Sequence, residues 1–152
     1  MFGRKKSEDQ PRKNYRVRYP AKAGYRHDTK INFKSKMEAN IFRWLKTKEF
    51  DQVEYEPEIF YFRPNKFGIK AYVPDFKVYY GKRFHFYEVK GYFEKSDYQK
   101  AWLVRRDYSW IKIYFITAKE YKLIQKFYSK KIPHWEWYNN FGDRIGLINS
   151  TA

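Results

Sequence analysis

Apolar positions at helical spacing predict a helix near the start of the chain, over Phe33–Lys48. Ser35 is a suitable N-cap for it, and Glu38, three residues later, completes a Ser-x-x-Glu capping pattern. The apolar stripe consists of Met37, Ile41, Trp44 and Leu45. Two further helices are expected, one from a Ser96 cap to about Tyr108 and one over Ala118–Lys130, before Pro133.

Runs of β-prone residues predict four strands. They cover Val53–Phe62, Ile69–Tyr80, Arg83–Lys90 and Ile111–Ile116. Pro57 indicates that the first strand bends or lies at a sheet edge. The order helix, three strands, helix, strand, helix (α-β-β-β-α-β-α) predicts an α/β fold with a mixed central β-sheet flanked by helices.

Two adjacent strands are joined at Gly81-Lys82, where Gly81 can supply the positive φ of a two-residue type II′ turn. Counting outward from this turn gives three opposed pairs: Tyr80 with Arg83, Val78 with His85, and Asp75 with Glu88. Lys90 is two residues beyond Glu88 and so points to the same face of the strand. Two carboxylates and one amine are therefore expected on one patch.

The charge of the chain changes what such a patch means. Lys and Arg total 33 against 17 acids, a formal net charge of +16. So much positive charge opposes compaction, and a polyanionic partner would relieve it. Nucleic acid is the leading candidate, because each neutralised phosphate releases counterions. Anionic membrane surfaces and acidic proteins are the alternatives.

The composition excludes several kinds of site. The chain has no cysteine, which rules out disulfides, thiolate zinc sites and cysteine nucleophiles. No apolar run approaches the length of a membrane span, and the charged start lacks the apolar stretch of a signal peptide. We therefore expect a soluble, cytoplasmic protein with no membrane partner.

The first 30 residues form a distinct basic segment with ten Lys or Arg and three acids. It has too few aliphatic residues to fold alone, and we expect a flexible arm. The arm is either a solvated tail or a segment that follows the phosphates of bound nucleic acid. Its predicted DNA-binding residues are Arg4, Lys5, Lys6, Arg12, Lys13, Arg16 and Arg18. Residues 31–133 are expected to form the folded domain, and 134–152 a tail with no assigned structure.

Opposed carboxylates repel each other across a sheet, and a divalent cation would offset that cost. Oxygen ligands suit Mg²⁺, with Mn²⁺ as a substitute. Such an ion would polarise a phosphate and lower the pKa of a bound water, while Lys90 would position the nucleophile or stabilise developing charge. The alternative is a pair of solvent-facing acids balanced by Lys77 and Lys90. Glu38 is either a capping residue alone or a third carboxylate of the site.

The same residues resemble a known signature. Val73-Pro74-Asp75-Phe76, with Glu88-Val89-Lys90-Gly91 thirteen residues after Asp75, looks like the motif of the PD-(D/E)xK nuclease superfamily. The segment Phe33–Glu38 resembles its helical glutamate segment. Gly91–Lys100, with Leu103 and Arg105 beyond, resembles the stretch after the motif in phage Holliday-junction resolvases of the endonuclease I type. The resemblance covers about residues 33–117.

The resemblance implies a restriction-endonuclease-like core and a Mg²⁺-dependent DNA endonuclease. Asp75, Glu88 and the Val89 carbonyl would bind the metal, Glu38 would bind it directly or through water, and Lys90 would be the catalytic lysine. The residues expected to approach DNA phosphates are Lys34, Lys36, Lys100 and Arg105; for the last two, a solvated helix face is the alternative.

The resemblance further implies phage origin, branched DNA as the substrate and a homodimer as the active form. Two alternatives remain open at this point. One is a nuclease of phage head completion or of general DNA trimming. The other is a non-catalytic basic protein that binds nucleic acid or scaffolds an assembly.

Overall fold

The computed structural model of the protein describes residues 22–137. Along these residues it forms β1 (Gly24–Arg26), β2 (Ile31–Phe33), α1 (Lys36–Lys46), β3 (Gln52–Tyr55), β4 (Phe60–Tyr61), β5 (Ala71–Tyr72), β6 (Phe76–Tyr80), β7 (Arg83–Lys90), α2 (Lys95–Asp107), β8 (Ile113–Thr117) and α3 (Ala118–Tyr128). The predicted DNA-binding residues of the arm, from Arg4 to Arg18, and most of the predicted tail lie outside the described residues. Among those described, no helix is both long and apolar enough to cross a membrane.

A four-stranded sheet with the strand order β3-β6-β7-β8 forms the centre of the fold. β6 pairs antiparallel with β3 and with β7, whereas β7 and β8 run parallel and are connected through α2. The sheet is therefore mixed, and the predicted α/β class is confirmed. Two shorter hairpins, β1–β2 and β4–β5, lie outside this sheet.

Both faces of the sheet are covered. On one face, Phe76 and Val78 of β6 join a buried cluster with the apolar sides of α1 and α3. On the other face, Phe86 of β7 packs with Phe60 of β4 and Val104 of α2. Side chains alternate across a strand, so β7 contributes Phe86 to one cluster and Tyr87 and Val89 to the other, and it has little freedom to slip in register.

The first helix begins where its capping signal indicates. The Ser35 side chain accepts a hydrogen bond from the Glu38 N–H at 3.0 Å, and α1 starts at Lys36. It ends at Lys46, so the prediction of Phe33–Lys48 was too long at both ends. Phe33 belongs instead to β2, because a Ser35 cap in extended conformation cannot lie inside a helix.

Two of the predicted strands are each divided in two. The run Val53–Phe62 stops at Tyr55, because Glu56 has a φ of +46° and turns the chain out of the sheet before Pro57. The run Ile69–Tyr80 is interrupted between β5 and β6 around Pro74. The pieces cut off, β4 and β5, pair with each other instead. Pro57 thus marks a bend at the end of an edge strand, as expected.

The hairpin between β6 and β7 has the predicted register. Gly81 has a φ of +61°, and Tyr80 pairs with Arg83 and Val78 with His85. The third predicted pair involves Asp75, which lies one residue before β6. Since Phe76 pairs with Tyr87, the same count places Asp75 opposite Glu88.

The later element boundaries differ slightly from the prediction. The N-cap of α2 is Glu94 rather than Ser96, because Glu94 and Asp97 form a reciprocal capping box. β8 begins at Ile113 rather than Ile111, and α3 ends at Tyr128 rather than Lys130.

The ends of the described segment are tied to α1 by a buried polar network. Arg26 Nε donates to Glu136 Oε1 at 2.7 Å, and Arg43 Nε donates to Asp28 Oδ2 at 2.8 Å. Asn40, fully buried on α1, bonds the backbone of Glu136 in both directions. Residues 24–33 are therefore a hairpin fixed to the domain, which corrects the prediction that the flexible arm reaches residue 30.

His85 lies on the sheet face opposite Glu88 and is 7% exposed. Four aromatic rings surround it, those of Phe50, Tyr80, Tyr87 and Tyr114. Neither ring nitrogen has a hydrogen-bond partner among the described residues. Burial, with a smaller contribution from the positive charge of Lys112, lowers the pKa of His85.

This burial predicts a loss of stability in mild acid. In the unfolded chain, His85 takes up a proton at the usual histidine pKa of about 6.5. In the folded chain, it is protonated only at lower pH. The contribution of His85 to the free energy of unfolding should therefore fall as the pH drops below about 6.5. Urea unfolding between about pH 5 and 8 measures this. His85→Phe should flatten the dependence of stability on pH, whereas His27→Gln, at an exposed site, should leave this dependence unchanged. An unchanged dependence in His85→Phe would contradict the role given to His85.

Candidate active site

Asp75, Glu88 and Lys90 lie together where the hairpin strands are furthest from their turn. Glu88 and Lys90 occupy alternate positions of β7 and share the face that α2 covers. Asp75 immediately precedes β6 and continues its register to the position opposite Glu88. The predicted patch of two carboxylates and one amine is therefore formed, on one face.

Each carboxylate is held by the backbone of the neighbouring strand. The Asp75 N–H donates to Glu88 Oε2 at 3.1 Å, and the Val89 N–H donates to Asp75 Oδ2 at 2.7 Å. These two bonds replace the regular ladder just before β6 begins at Phe76. They fix each acid through one oxygen, Asp75 Oδ2 and Glu88 Oε2. The second oxygen of Glu88, Oε1, lies 3.4 Å from Lys90 Nζ.

Tyr72 is a further contact of the site, and the sequence did not single it out. Its hydroxyl donates to Glu88 Oε2 at 2.7 Å, and both side chains are buried. Tyr72 reaches Glu88 because β5 belongs to the separate hairpin that packs over this sheet face. The prediction of one continuous strand over Ile69–Tyr80 concealed this contact.

Lys90 is bracketed by two acids. Its Nζ lies 3.4 Å from Glu88 Oε1 and 3.2 Å from Asp97 Oδ1. Asp97 is 7% exposed, and its other oxygen accepts the Glu94 N–H at 2.8 Å in the cap of α2. The sequence predicted no role for Asp97. Its position three residues after a capping acid is the one signal that indicates an inward-facing carboxylate.

Burial raises the pKa values of both central acids. The pKa of Asp75 is well above its usual range because of desolvation and then the charges of Glu88 and Glu38. The pKa of Glu88 is raised by desolvation, against the hydrogen bond from Tyr72 and the charge of Lys90. The two carboxylates are buried close together and repel each other when both are ionised, and a bound cation would relieve this repulsion.

Lys90 stays charged. Burial alone would lower its pKa, but the carboxylates of Glu88 and Asp97 outweigh burial and raise it. The ammonium form is therefore the one present near neutral pH. An ammonium group fits both roles expected for Lys90, which are to position the nucleophile and to stabilise developing negative charge.

Glu38, in the first turn of α1, lies near the central acids. The Tyr55 hydroxyl donates to its carboxylate, and burial raises its pKa. It is close enough to contribute to the raised pKa of Asp75. Its backbone N–H donates to the Ser35 cap, whereas its carboxylate is bound by Tyr55 of β3, and its role as a third carboxylate of the site stays a prediction.

The Val89 carbonyl faces Asp75. The Phe86 N–H donates to the Lys112 carbonyl, so even-numbered residues of β7 direct their backbone groups toward β8. Val89 therefore directs its groups toward β6, where its N–H meets Asp75. Both backbone groups of a strand residue point to the same edge, which places this carbonyl beside the two carboxylates.

The oxygen donors of this site are of the chemical type that binds a hard divalent cation. Carboxylate and carbonyl oxygens are the ligands that Mg²⁺ and Mn²⁺ prefer, and Mg²⁺ usually keeps several waters. Within residues 22–137, no group of three or more His, Cys, Asp or Glu side chains is placed to hold a metal ion. The donors expected to bind directly are Asp75, Glu88 and the Val89 carbonyl, and the binding of Glu38, directly or through water, stays a prediction.

The four predicted DNA-binding residues of the folded domain lie in different settings. Lys34 is exposed but pairs with Glu56, and Lys36 begins α1. Lys100 lines a small cavity together with Glu88 and Lys90, so it lies beside the site. Arg105 is exposed near the end of α2, further from the carboxylates.

Comparisons with known proteins give no match. No protein-family model matches the chain, and no curated protein or solved structure is significantly similar to it. Function is therefore inferred from the chemistry of the site and from the sequence motif.

Proposed function

We propose that this chain is a metal-dependent nuclease that hydrolyses DNA phosphodiester bonds. The observation that carries the proposal is the pair of acids, Asp75 and Glu88, each held by the backbone of the other's strand, with Lys90 on the same face. Buried like charges are costly without a cation or proton between them. If the three groups had only a structural role, nothing would offset the free-energy cost of burying two carboxylates side by side.

The arrangement of elements supports the finer assignment to a restriction-endonuclease-like core. The site lies on an antiparallel hairpin, β6–β7, and α2 then connects β7 to the parallel strand β8. α1 packs against the opposite face of the same sheet and carries Glu38 in its first turn. This order agrees with the PD-(D/E)xK resemblance of the motif.

In the proposed reaction, Asp75, Glu88 and the Val89 carbonyl hold Mg²⁺. The ion, when bound, supplies charge to the scissile phosphate and a water of lowered pKa. Lys90, as an ammonium, stabilises negative charge that develops on the phosphate oxygens. Tyr72 orients Glu88, and Asp97 orients Lys90 through its Nζ. Lys100 approaches a neighbouring phosphate.

The excess of Lys and Arg supports a polyanionic substrate. We further propose that the substrate is branched DNA and that the protein acts as a homodimer, both from the resemblance to junction resolvases. A trimming or head-completion nuclease would share the chemistry and differ in substrate preference.

A cleavage assay separates these possibilities. We expect the purified chain to cut a four-way junction with Mg²⁺ or Mn²⁺ and to stop when EDTA is added. Stronger cutting of the junction than of linear duplex supports a resolvase, and equal cutting favours a trimming nuclease. DNA binding without cleavage under any divalent ion would contradict the proposed function and leave a basic scaffold protein.

A further inference from the structure

A cluster of aromatic and basic side chains lies on the outer surface of α2 and the loop of the β4–β5 hairpin. The Phe67 ring meets the Trp102 ring edge-on at 5.9 Å, and the Arg106 guanidinium lies 5.6 Å from the Trp102 centroid. Lys66 Nζ lies 5.3 Å from the Phe67 ring, and the side chain of Arg63 is 70% exposed. We call these five residues the aromatic–basic patch.

Core packing does not account for this patch. Trp102 is 51% exposed, and Tyr98, one turn earlier on α2, is 65% exposed. Large aromatic rings left half in water on one helix face are typical of a binding surface. The charge of the patch is positive, since it has three cations, Arg63, Lys66 and Arg106, and both arginines pair with the same acid, Asp107.

Exposed aromatic rings beside cations are the groups that bind unpaired nucleotides. Unpaired bases stack on aromatic side chains, and the phosphates between them pair with lysine and arginine. A paired duplex hides its base faces within its own stack. We infer that the aromatic–basic patch binds unpaired nucleotides of a DNA strand, with a base against Trp102 and a phosphate near Arg106.

The patch and the candidate active site share one helix, α2. Asp97, which contacts Lys90, is buried on the inner side of this helix, and Trp102 is exposed on its outer side. Their five-residue spacing advances roughly 7.5 Å along the axis and turns roughly 140° around it. A DNA strand that reaches both must therefore pass around α2. Resting on the proposed nuclease function, the inference names the substrate class as DNA with unpaired nucleotides near the cut.

Binding in EDTA tests this inference without cleavage. The measurement is fluorescence anisotropy of a labelled oligothymidylate and of a blunt duplex of equal length. Trp102→Ala should weaken oligothymidylate binding by roughly tenfold, the loss of one stacked base, and change duplex binding by less than about twofold. Trp102→Leu, which keeps apolar packing against Phe67, should lose as much, whereas Trp102→Phe should retain most of the affinity.

A matched control lies on the other side of the sheet. Phe127 of α3 is 57% exposed, and Lys126 Nζ lies 5.6 Å from its ring. Phe127→Ala should leave both affinities unchanged. Equal losses for single strand and duplex in Trp102→Ala, an equal loss in Phe127→Ala, or no binding of oligothymidylate would overturn the inference.

The binding assay and the cleavage assay test the two proposals separately. If duplex is cut with Mg²⁺ but Trp102 variants bind single strands normally, the inference fails and the nuclease proposal stands. If single strands bind through Trp102 but no DNA is cut, the patch is real and the nuclease proposal fails.

Discussion

Lys90→Ala should lower the rate of DNA cleavage by on the order of 100- to 1,000-fold, the effect typical of removing one group that stabilises transition-state charge. The reason is local. Lys90 is the ammonium held between Glu88 and Asp97 at 3.4 and 3.2 Å, and their charges keep it protonated. Single-turnover cleavage at saturating Mg²⁺ measures the effect, since it separates chemistry from product release.

Lys77→Ala is the matched control for charge and location. Lys77 lies on β6, and its Nζ bonds Glu58 at 2.7 Å rather than the central acids. Its replacement should leave the rate within about threefold if the domain stays folded, as a thermal melt shows. Equal rates for Lys90→Ala and the unaltered chain would remove Lys90 from the site.

Asn40→Ala should destabilise the folded domain by about 3 kcal/mol and lower Tm by roughly 10 °C. The Asn40 amide donates to the Tyr121 hydroxyl at 3.0 Å and to the Glu136 carbonyl at 2.5 Å. Its oxygen accepts from the Glu136 N–H at 2.9 Å and from Arg43 at 3.2 Å. Alanine would remove these bonds and leave the backbone N–H and carbonyl of Glu136 without the Asn40 amide, which costs more than the bonds themselves contribute.

Asn32→Ala provides the comparison, because Asn32 is an exposed residue of the β1–β2 hairpin. Its change should stay within about 0.5 kcal/mol. Urea denaturation of both variants measures the difference. If Asn40→Ala is as stable as Asn32→Ala, the attachment of residues 132–137 to α1 contributes little to the fold.

The centre of the site was predictable because it depends on local rules. A Gly-Lys turn fixes the register of a short hairpin, and that register places Asp75 opposite Glu88. Alternation along β7 then brings Lys90 to the same face. The start of α1 was likewise set by one residue, Ser35, whose side chain caps the helix.

The remainder depends on contacts between distant residues. Tyr72 reaches Glu88 because Glu56 adopts a positive φ and diverts the chain into a second hairpin, which no period in the sequence indicates. Asn40 and Glu136 are 96 positions apart and meet because of the packing of α1. Glu38 has a partner that the sequence did not indicate, since its carboxylate accepts from Tyr55 of β3, and its role as a metal ligand stays a prediction.

The central claim is that Asp75 and Glu88 together hold a divalent ion. Titration of Mn²⁺, followed by electron paramagnetic resonance in the presence of a DNA oligonucleotide, tests it most directly. At least one bound Mn²⁺ should be lost in both Asp75→Asn and Glu88→Gln and kept in Glu54→Gln, whose carboxylate instead accepts from Tyr79 on β6. Unchanged Mn²⁺ binding in the first two variants, or none in the unaltered chain, would contradict the claim.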